Sequence, residues 1–460
     1  LTIITQINDV LWGWLLAGIL LTTGLYYSIR MGFPQIRHFS KLFASIKTTL
    51  KSDDGDVSGF SALCATVGGQ VGTGSLVGVA SALAAGGPGA LFWMWVTAIF
   101  GMVLSFGEAA LGQVFHEKDS NGNYYGGAPY YMKKGMGNSW IAVAYAICTI
   151  FAVGFCIAML QNNSISSAVT GVIHVSPVIP GLVVTFLAAL IVVGGVKRIT
   201  DVASYIVPFM ALGYILITLI IVIIHIGQLP AIFATVMKSA FSTKAAAGGA
   251  VGYTMKTAFR QGVARGLFSN DAGNGGAASM HASAKVKHPA NQGFAAMLGT
   301  FLTTIIICSC TGFAILLTGA LDSGADGINL VQTAFSNTLG EIGGWLILLA
   351  MFLFGFTTLI ADLFYGEVGI RYICKKHTQV VVRIYQILAL LAVALGAVLP
   401  LATLWQVVDF CAALLVMMNV TALLRLFKYV KYVLQDYLEQ LKAGIKEPVW
   451  DSEKDIRERV

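Results

Sequence analysis

The sequence predicts an all-α integral membrane protein with eleven transmembrane helices. One N-terminal helix precedes two sets of five, and two helices are discontinuous. Composition, the length of the apolar stretches and the placement of the basic residues carry this expectation. Of 460 residues, 57% are hydrophobic and 11% charged, where a soluble domain has roughly 45–50% and 25%. Mean hydropathy is +0.77. Such a chain is not a cytosolic enzyme, a secreted disulfide scaffold, a disordered segment or a nucleic-acid binder, despite its net charge of +7. Seven cysteines stand singly, with no CxxC pair, and read as buried free thiols (Cys64, Cys148, Cys156, Cys308, Cys310, Cys374, Cys411). The chain begins at Leu1, and no signal-peptide cleavage pattern follows.

A spanning helix needs ~20 mainly apolar residues. Such stretches fall at 9–29, 59–83, 89–114, 140–173, 178–195, 200–226, 252–283, 291–320, 342–370, 379–396 and 401–425. Period-two alternation is absent, which argues against a barrel. Segment 228–250, rich in alanine and glycine, reads as a short surface helix and a flexible hinge. Segment 427–445 mixes apolar residues at helical spacing with Lys, Asp and Glu, and suits an amphipathic helix on the inner membrane surface.

Orientation follows from the basic residues. With 30–58 placed inside and the sides alternating from there, 24 of the 29 Lys and Arg fall in inside segments. Lys238 and Lys244 lie outside, and Lys256, Arg260 and Arg265 in the seventh span. The positive-inside rule then puts the N-terminus outside and the C-terminus in the cytoplasm of a cell-membrane protein.

Two spans carry helix-weakening residues near their middles. Thr66 to Ser75 reads ThrValGlyGlyGlnValGlyThrGlySer, and Arg265 to Gly276 reads ArgGlyLeuPheSerAsnAspAlaGlyAsnGlyGly. Gly74-x-x-x-Gly78 alone would mark close helix packing, and Thr66-Val67-Gly68-Gly69 has a distant likeness to a potassium-channel filter. That filter requires several copies around an axis, and here there is one inside a full span. The two interruptions open spans 2–6 and 7–11. Five is odd, so the second set runs inverted, the pattern of an inverted-repeat transporter with its site at the breaks. Broken ends offer N–H groups to a carboxylate and carbonyls to a small cation. The units are 1–58 (first helix and basic loop), 59–226 and 252–425 (the repeats), 227–251 (their connection) and 426–460 (amphipathic helix and tail).

At these residues the chain resembles the alanine/glycine:cation (sodium) symporter family, a branch of the LeuT-type fold superfamily. The resemblance runs over nearly the whole chain. Its carriers are GlyGlnValGlyThrGlySer (69–75) with GlyVal (78–79), GlyGlyAlaProTyrTyr (126–131), GlyValAlaArgGlyLeuPheSerAsnAspAlaGly (262–273) and TyrGlyGlu (365–367). It implies sodium-coupled import of a small amino acid, alanine or glycine by family default, by alternating access. Carried over by position, the substrate region comprises Thr66, Gly69, Gln70, Thr73, Gln161, Asn270 in the seventh-span break, and Thr358. The implied sodium site uses Thr357 and Thr358 with backbone carbonyls near Thr66, Val67 and Gly69. The sequence departs from the family pattern at Ser75 (usually asparagine), Asp271 (glutamate), Asn274 (apolar) and Asp362 (a pocket tryptophan). The last change enlarges the cavity and adds a carboxylate, so a larger polar or basic amino acid, or proton coupling, stands as an alternative.

The polar residues carry two readings each. Gln161 opens GlnAsnAsnSer within the fourth span, as substrate ligand or interhelical bond. Thr358, Asp362 and Tyr365 share one helical face. Adjacent threonines bond either their own backbone or a cation. Asp362 pairs with substrate, a proton or Arg265. Asp271 follows Ser269 and Asn270, residues suited to N-capping the second half of the broken helix, where it complements the dipole or gates. Arg265 needs a partner among Glu108, Asp271 and Asp362. Asp409 bridges to Lys256 or Arg260 as an outer gate, or meets water at the interface. His116, His288 and His377 are too scattered for a metal site. The expected partners are the amino acid, sodium and membrane lipid, with no nucleic acid and a monomer sufficient. A channel is the competing class. Neither a nucleophile–base pair nor a P-loop marks an enzyme or ATP-driven pump.

Overall fold

A computed structural model describes residues 2–50, 57–119, 122–242, 254–451 and 456–459. These are nearly all helical. Residues 2–31 form one helix (α1), followed by the short Pro34–Arg37 (α2) and by Phe39–Thr49 (α3). Gly59–Gly86 (α4) and Gly89–Val114 (α5) come next. A two-residue antiparallel pair, Glu117–Lys118 (β1) with Tyr124–Tyr125 (β2), leads into Ala128–Lys134 (α6). Ser139–Val172 (α7), Val178–Val192 (α8), Gly195–Ile224 (α9) and Leu229–Ala240 (α10) follow. The second half has Met255–Asn270 (α11), Ala277–Ala282 (α12), Pro289–Leu317 (α13), Gly327–Leu339 (α14), Glu341–Ile373 (α15), Thr378–Gly396 (α16) and Leu401–Lys442 (α17).

Among the described residues eight helices, α4, α5, α7, α9, α13, α15, α16 and α17, are long and apolar enough to cross a membrane. Val178–Val192 is apolar but shorter, and the expected seventh span is split between α11 and α12. Their starts are chemically marked. The Ser58 hydroxyl accepts the Ser61 N–H at 3.0 Å, Asn138 caps α7 through the Ile141 N–H, and Thr254 and Thr257 form a capping box on α11. The expected surface helix at 228–250 is present as Leu229–Ala240, and the hinge after residue 242 lies outside the described residues.

Burial separates centre from rim. In the apolar window of α4, 94% of residues are buried, against 28% in α9, whose Tyr205 and Phe209 lie exposed. An interrupted backbone in hydrocarbon needs protein around it, and α4 has it on every side, packed against α9, α13 and α15. Segment 427–445 corrects an expectation. No separate surface helix exists there, because α17 runs unbroken to Lys442. Phe427, Val430, Val433, Leu434 and Tyr437 are buried, with Tyr437 5.6 Å from Phe294 and Tyr429 6.0 Å from Phe115. The apolar stripe covers protein rather than lipid.

Candidate functional site

The break in α4 is narrower than its ten-residue glycine-rich stretch suggests. Helical geometry holds to Gly72, whose φ of −23° and ψ of −137° interrupt it, and a π-helical turn Gly74–Gly78 follows. An unbroken helix would close the Gly72 N–H onto the Gly68 carbonyl. Here one side chain takes both partners: the Gly72 N–H donates to Thr358 Oγ1 at 2.9 Å, and that hydroxyl lies 2.6 Å from Gly68 O. Thr357 Oγ1 reaches the same carbonyl at 3.2 Å. The next donor, Thr73 N–H, goes to Gln161 Oε1 at 3.0 Å. Glycine at 72 is required by space, since a Cβ there would fall 2.2 Å from Thr358 Oγ1.

The second break is a true turn. Helix α11 ends at Asn270, Asp271 takes a left-handed φ of 57°, and Asp271 to Gly276 lead to α12. Asn270 Oδ1 accepts the Ala272 N–H and Asn274 Oδ1 the Gly276 N–H. This corrects the N-cap reading. Ser269 and Asn270 close the first half-helix, whereas Asp271, holding the Asn274 amide and the Ala277 N–H, faces the start of the second. Gln70 Nε2 ties the two breaks by donating to the Asn270 carbonyl at 2.7 Å. At Gly74 an added Cβ would meet Ser269 Cα at 2.9 Å, so the half-helices cross in backbone contact.

Between the breaks lies a cavity of about 20 Å³, room for roughly one water. Gly69, Gln70, Gln161, Asp271, Thr358 and Asp362 line it, with Asn274 and the apolar Val153, Ile157, Leu267, Phe268, Ala412 and Leu415. Three expected ligands do not line it. Thr66 turns its hydroxyl back to the Ala62 carbonyl, Thr73 contributes its N–H to Gln161, and Asn270 spends its side chain on the turn. Val153 and Ile157 were invisible in the sequence, because only the π-helical turn Ala152–Ile157 rotates them inward.

The charges pair differently from the expectation. Arg265 binds none of Glu108, Asp271 and Asp362. It forms a bidentate pair with Asp409 at 2.7 and 3.0 Å and stacks 4.0 Å over Trp405. Lys256 and Arg260 do not hold Asp409; Arg260 pairs with Asp9 at 2.5 Å. Trp405 packs on Phe268 at 4.8 Å, so the ion pair, Trp405 and Phe268 close the cavity in layers. Glu108 instead holds the second break: its Oε1 accepts from the Gly273 N–H at 2.9 Å and from Asn419 Nδ2 at 2.6 Å. Asn419 also donates to Gly273 O and accepts from Tyr131, while Tyr145 donates to Asn274 O at 2.6 Å. The sequence named none of these three as partners of the break. Each comes from a different helix and is brought to the turn by tertiary packing.

Outside the membrane-spanning segments, His116 Nδ1 donates to the Ala282 carbonyl, 3.1 Å away. Burial, with Lys134 and Lys118 adding to it, pushes its pKa down to about 4 against that bond, which raises it.

Two interrupted helices meeting around an enclosed polar cavity, inside a bundle of membrane-length helices, define a secondary transporter. A profile of the sodium:alanine symporter family matches residues 1–452. The amino-acid carrier protein AlsT of Bacillus subtilis is 38% identical over 446 residues, 96% of this chain and 93% of that one. The sodium/alanine symporter AgcS of Methanococcus maripaludis is 35% identical over 435 residues, covering 92% and 94%. The solved substrate-bound, outward-open state of a Na⁺-coupled sialic acid symporter has the same overall fold, with a TM-score of 0.51, 13% identity and coverage of 85% and 82%. The chain belongs to the sodium:alanine symporter family. It is therefore a multi-pass, sodium-coupled symporter and not an enzyme.

Proposed function

We propose that the protein imports an amino acid, alanine by the family's name, together with Na⁺ by alternating access at the cavity between the two breaks. The observation that carries this is the Gly68 carbonyl, freed from its helix and approached by the hydroxyls of Thr357 and Thr358 at 3.2 and 2.6 Å. Three oxygens so close suit a small hard cation. The substrate carboxylate would take the N–H groups of Gly72 and Thr73, displacing Thr358 and Gln161. Ion and substrate then order the same few residues, so each raises the other's affinity by one common factor. The cavity of about 20 Å³ is too small for an amino acid, so loading requires the half-helices to part. Arg265, Asp409, Trp405 and Phe268 form the gate that opens.

In this reading the chain crosses the membrane eleven times, with α1 before a five-plus-five inverted repeat of the LeuT type (59–226 and 252–425). The N-terminus is outside and the C-terminus in the cytoplasm. Support comes from the breaks at the head of each set and from the 24 of 29 basic residues on one side. Sodium-dependent uptake of radiolabelled alanine into proteoliposomes tests the transport reading. Uptake indifferent to sodium but driven by a proton gradient would overturn the ion assignment. A C-terminal tag accessible only from outside intact cells would overturn the topology.

A further inference from the structure

We infer that the site selects an amino acid with a cationic side chain, an ammonium or guanidinium, which pairs with Asp362. The inference rests on the sodium-symport reading above and puts a cationic amino acid in place of alanine as the preferred substrate.

The cavity lining contains two carboxylates, Asp271 and Asp362, and no Lys, Arg or His. The nearby guanidinium of Arg265 is already held in both directions, by Asp409 and by the Trp405 ring. The two acids differ in their surroundings. Asp271 is occupied by the turn, through Asn274 and the Ala277 N–H. Asp362 is 4% exposed and lines the cavity; the Gln161 side chain hydrogen-bonds its carboxyl, while its Oδ2 has no hydrogen-bond partner among the described residues. A buried carboxylate oxygen without a donor is costly unless something brought into the cavity supplies one. The unpartnered oxygen of Asp362, facing the cavity, calls for a ligand that brings a donor.

Charge balance identifies that ligand. The proposed Na⁺ oxygens are a neutral carbonyl and two neutral hydroxyls. A zwitterion such as alanine adds no net charge. With both carboxylates ionised, the cavity loaded with Na⁺ and alanine would still hold one uncompensated negative charge. A substrate with a positive side chain brings it to neutrality. Asp362 stands one turn along α15 from Thr358, about 6 Å of rise. A substrate whose carboxylate sits at the Gly72–Thr73 donors beside Thr358 therefore needs a side chain of several bonds to reach it.

The test uses the full-length protein in proteoliposomes under a sodium gradient, with competition against labelled alanine by lysine, arginine and norleucine. Norleucine matches the length of lysine without its charge. Inhibition by lysine or arginine at concentrations at least about tenfold below norleucine supports the inference. Asp362→Asn should then cut the ratio of lysine to alanine kcat/KM by about tenfold or more, with Asp362→Glu restoring part of it. Alanine uptake that norleucine inhibits as well as lysine does overturns the inference and leaves symport standing. An unchanged lysine-to-alanine ratio in a folded Asp362→Asn protein overturns it too, and assigns Asp362 to a proton or second cation. No sodium-dependent uptake of any of these amino acids removes the symport reading beneath it.

Discussion

Replacing Thr358 by valine keeps the shape of the side chain and deletes one oxygen. That oxygen accepts the Gly72 N–H at 2.9 Å and sits 2.6 Å from Gly68 O, so it serves both halves of the α4 break. Two costs follow, and they separate. The orphaned, buried N–H costs about 1–3 kcal/mol in ion-free and ion-bound protein alike, and it lowers the melting temperature. Loss of an oxygen facing the cation acts only in the bound state. Contacts to a charged group are worth about 1.5–3 kcal/mol, which corresponds to a rise of roughly 10- to 150-fold in the sodium concentration for half-maximal uptake. Thr357→Val should shift it less, because Thr357 Oγ1 is farther from Gly68 O, at 3.2 Å, and lies near two carbonyls of its own helix, Leu353 O and Phe354 O, against one, Phe354 O, for Thr358. Thr358→Ser keeps the oxygen and most of the affinity. The assays are sodium titration of uptake in proteoliposomes and sodium-induced thermal stabilisation of the detergent-solubilised protein. A Thr358→Val protein that melts earlier yet retains wild-type sodium half-saturation would show the hydroxyl to be a helix brace only.

Other perturbations test the remaining parts. Gly72→Ala places a Cβ 2.2 Å from Thr358 Oγ1 and 2.7 Å from Gln161 Oε1, and should abolish uptake while the protein still reaches the membrane; normal uptake would refute the α4 geometry. Glu108→Ala leaves the Gly273 N–H and the Asn419 amide without their acceptor, at about 1–3 kcal/mol each. A melting temperature equal to wild type would contradict that network, and Glu108→Gln should lose less. Asp409→Asn unpairs an Arg265 that is 8% exposed; removing one partner of a buried pair costs about 3–5 kcal/mol. Externally added maleimide should then label a cysteine placed at Ala412 faster, and an unchanged rate would argue against a gate. His116 titrates near 6.5 when unfolded and near 4 when folded. A depressed folded pKa gives stability that is full above pH 6.5 and lost as pH falls through 4. Thermal melts from pH 7 to 4 should show this slope, with a shallower one in His116→Asn.

Hydrocarbon makes apolar length, glycine-rich interruption and basic loops legible, because each answers a constraint that a single stretch of chain must meet alone. Thus the sequence located both breaks, put Gln161, Thr358 and Asp362 among the residues that do line the cavity, and marked Thr357 as its neighbour. It misjudged what depends on rotation and on partners far along the chain. Thr66 lies in the right stretch but on the wrong side of the helix, bonded to Ala62 O. Val153 and Ile157 enter the cavity through a π-helical turn that no residue type announces. Asp409 is 144 positions from Arg265, and Asn419 is 311 from Glu108. A charge in an apolar helix declares that it needs a partner; only the packing of the helices decides which. The sequence alone therefore determined a membrane protein with two weakened helices. The tertiary structure decided that one threonine closes the first break, that Glu108 and Asn419 hold the second, and that Asp362 faces the cavity with an oxygen left over.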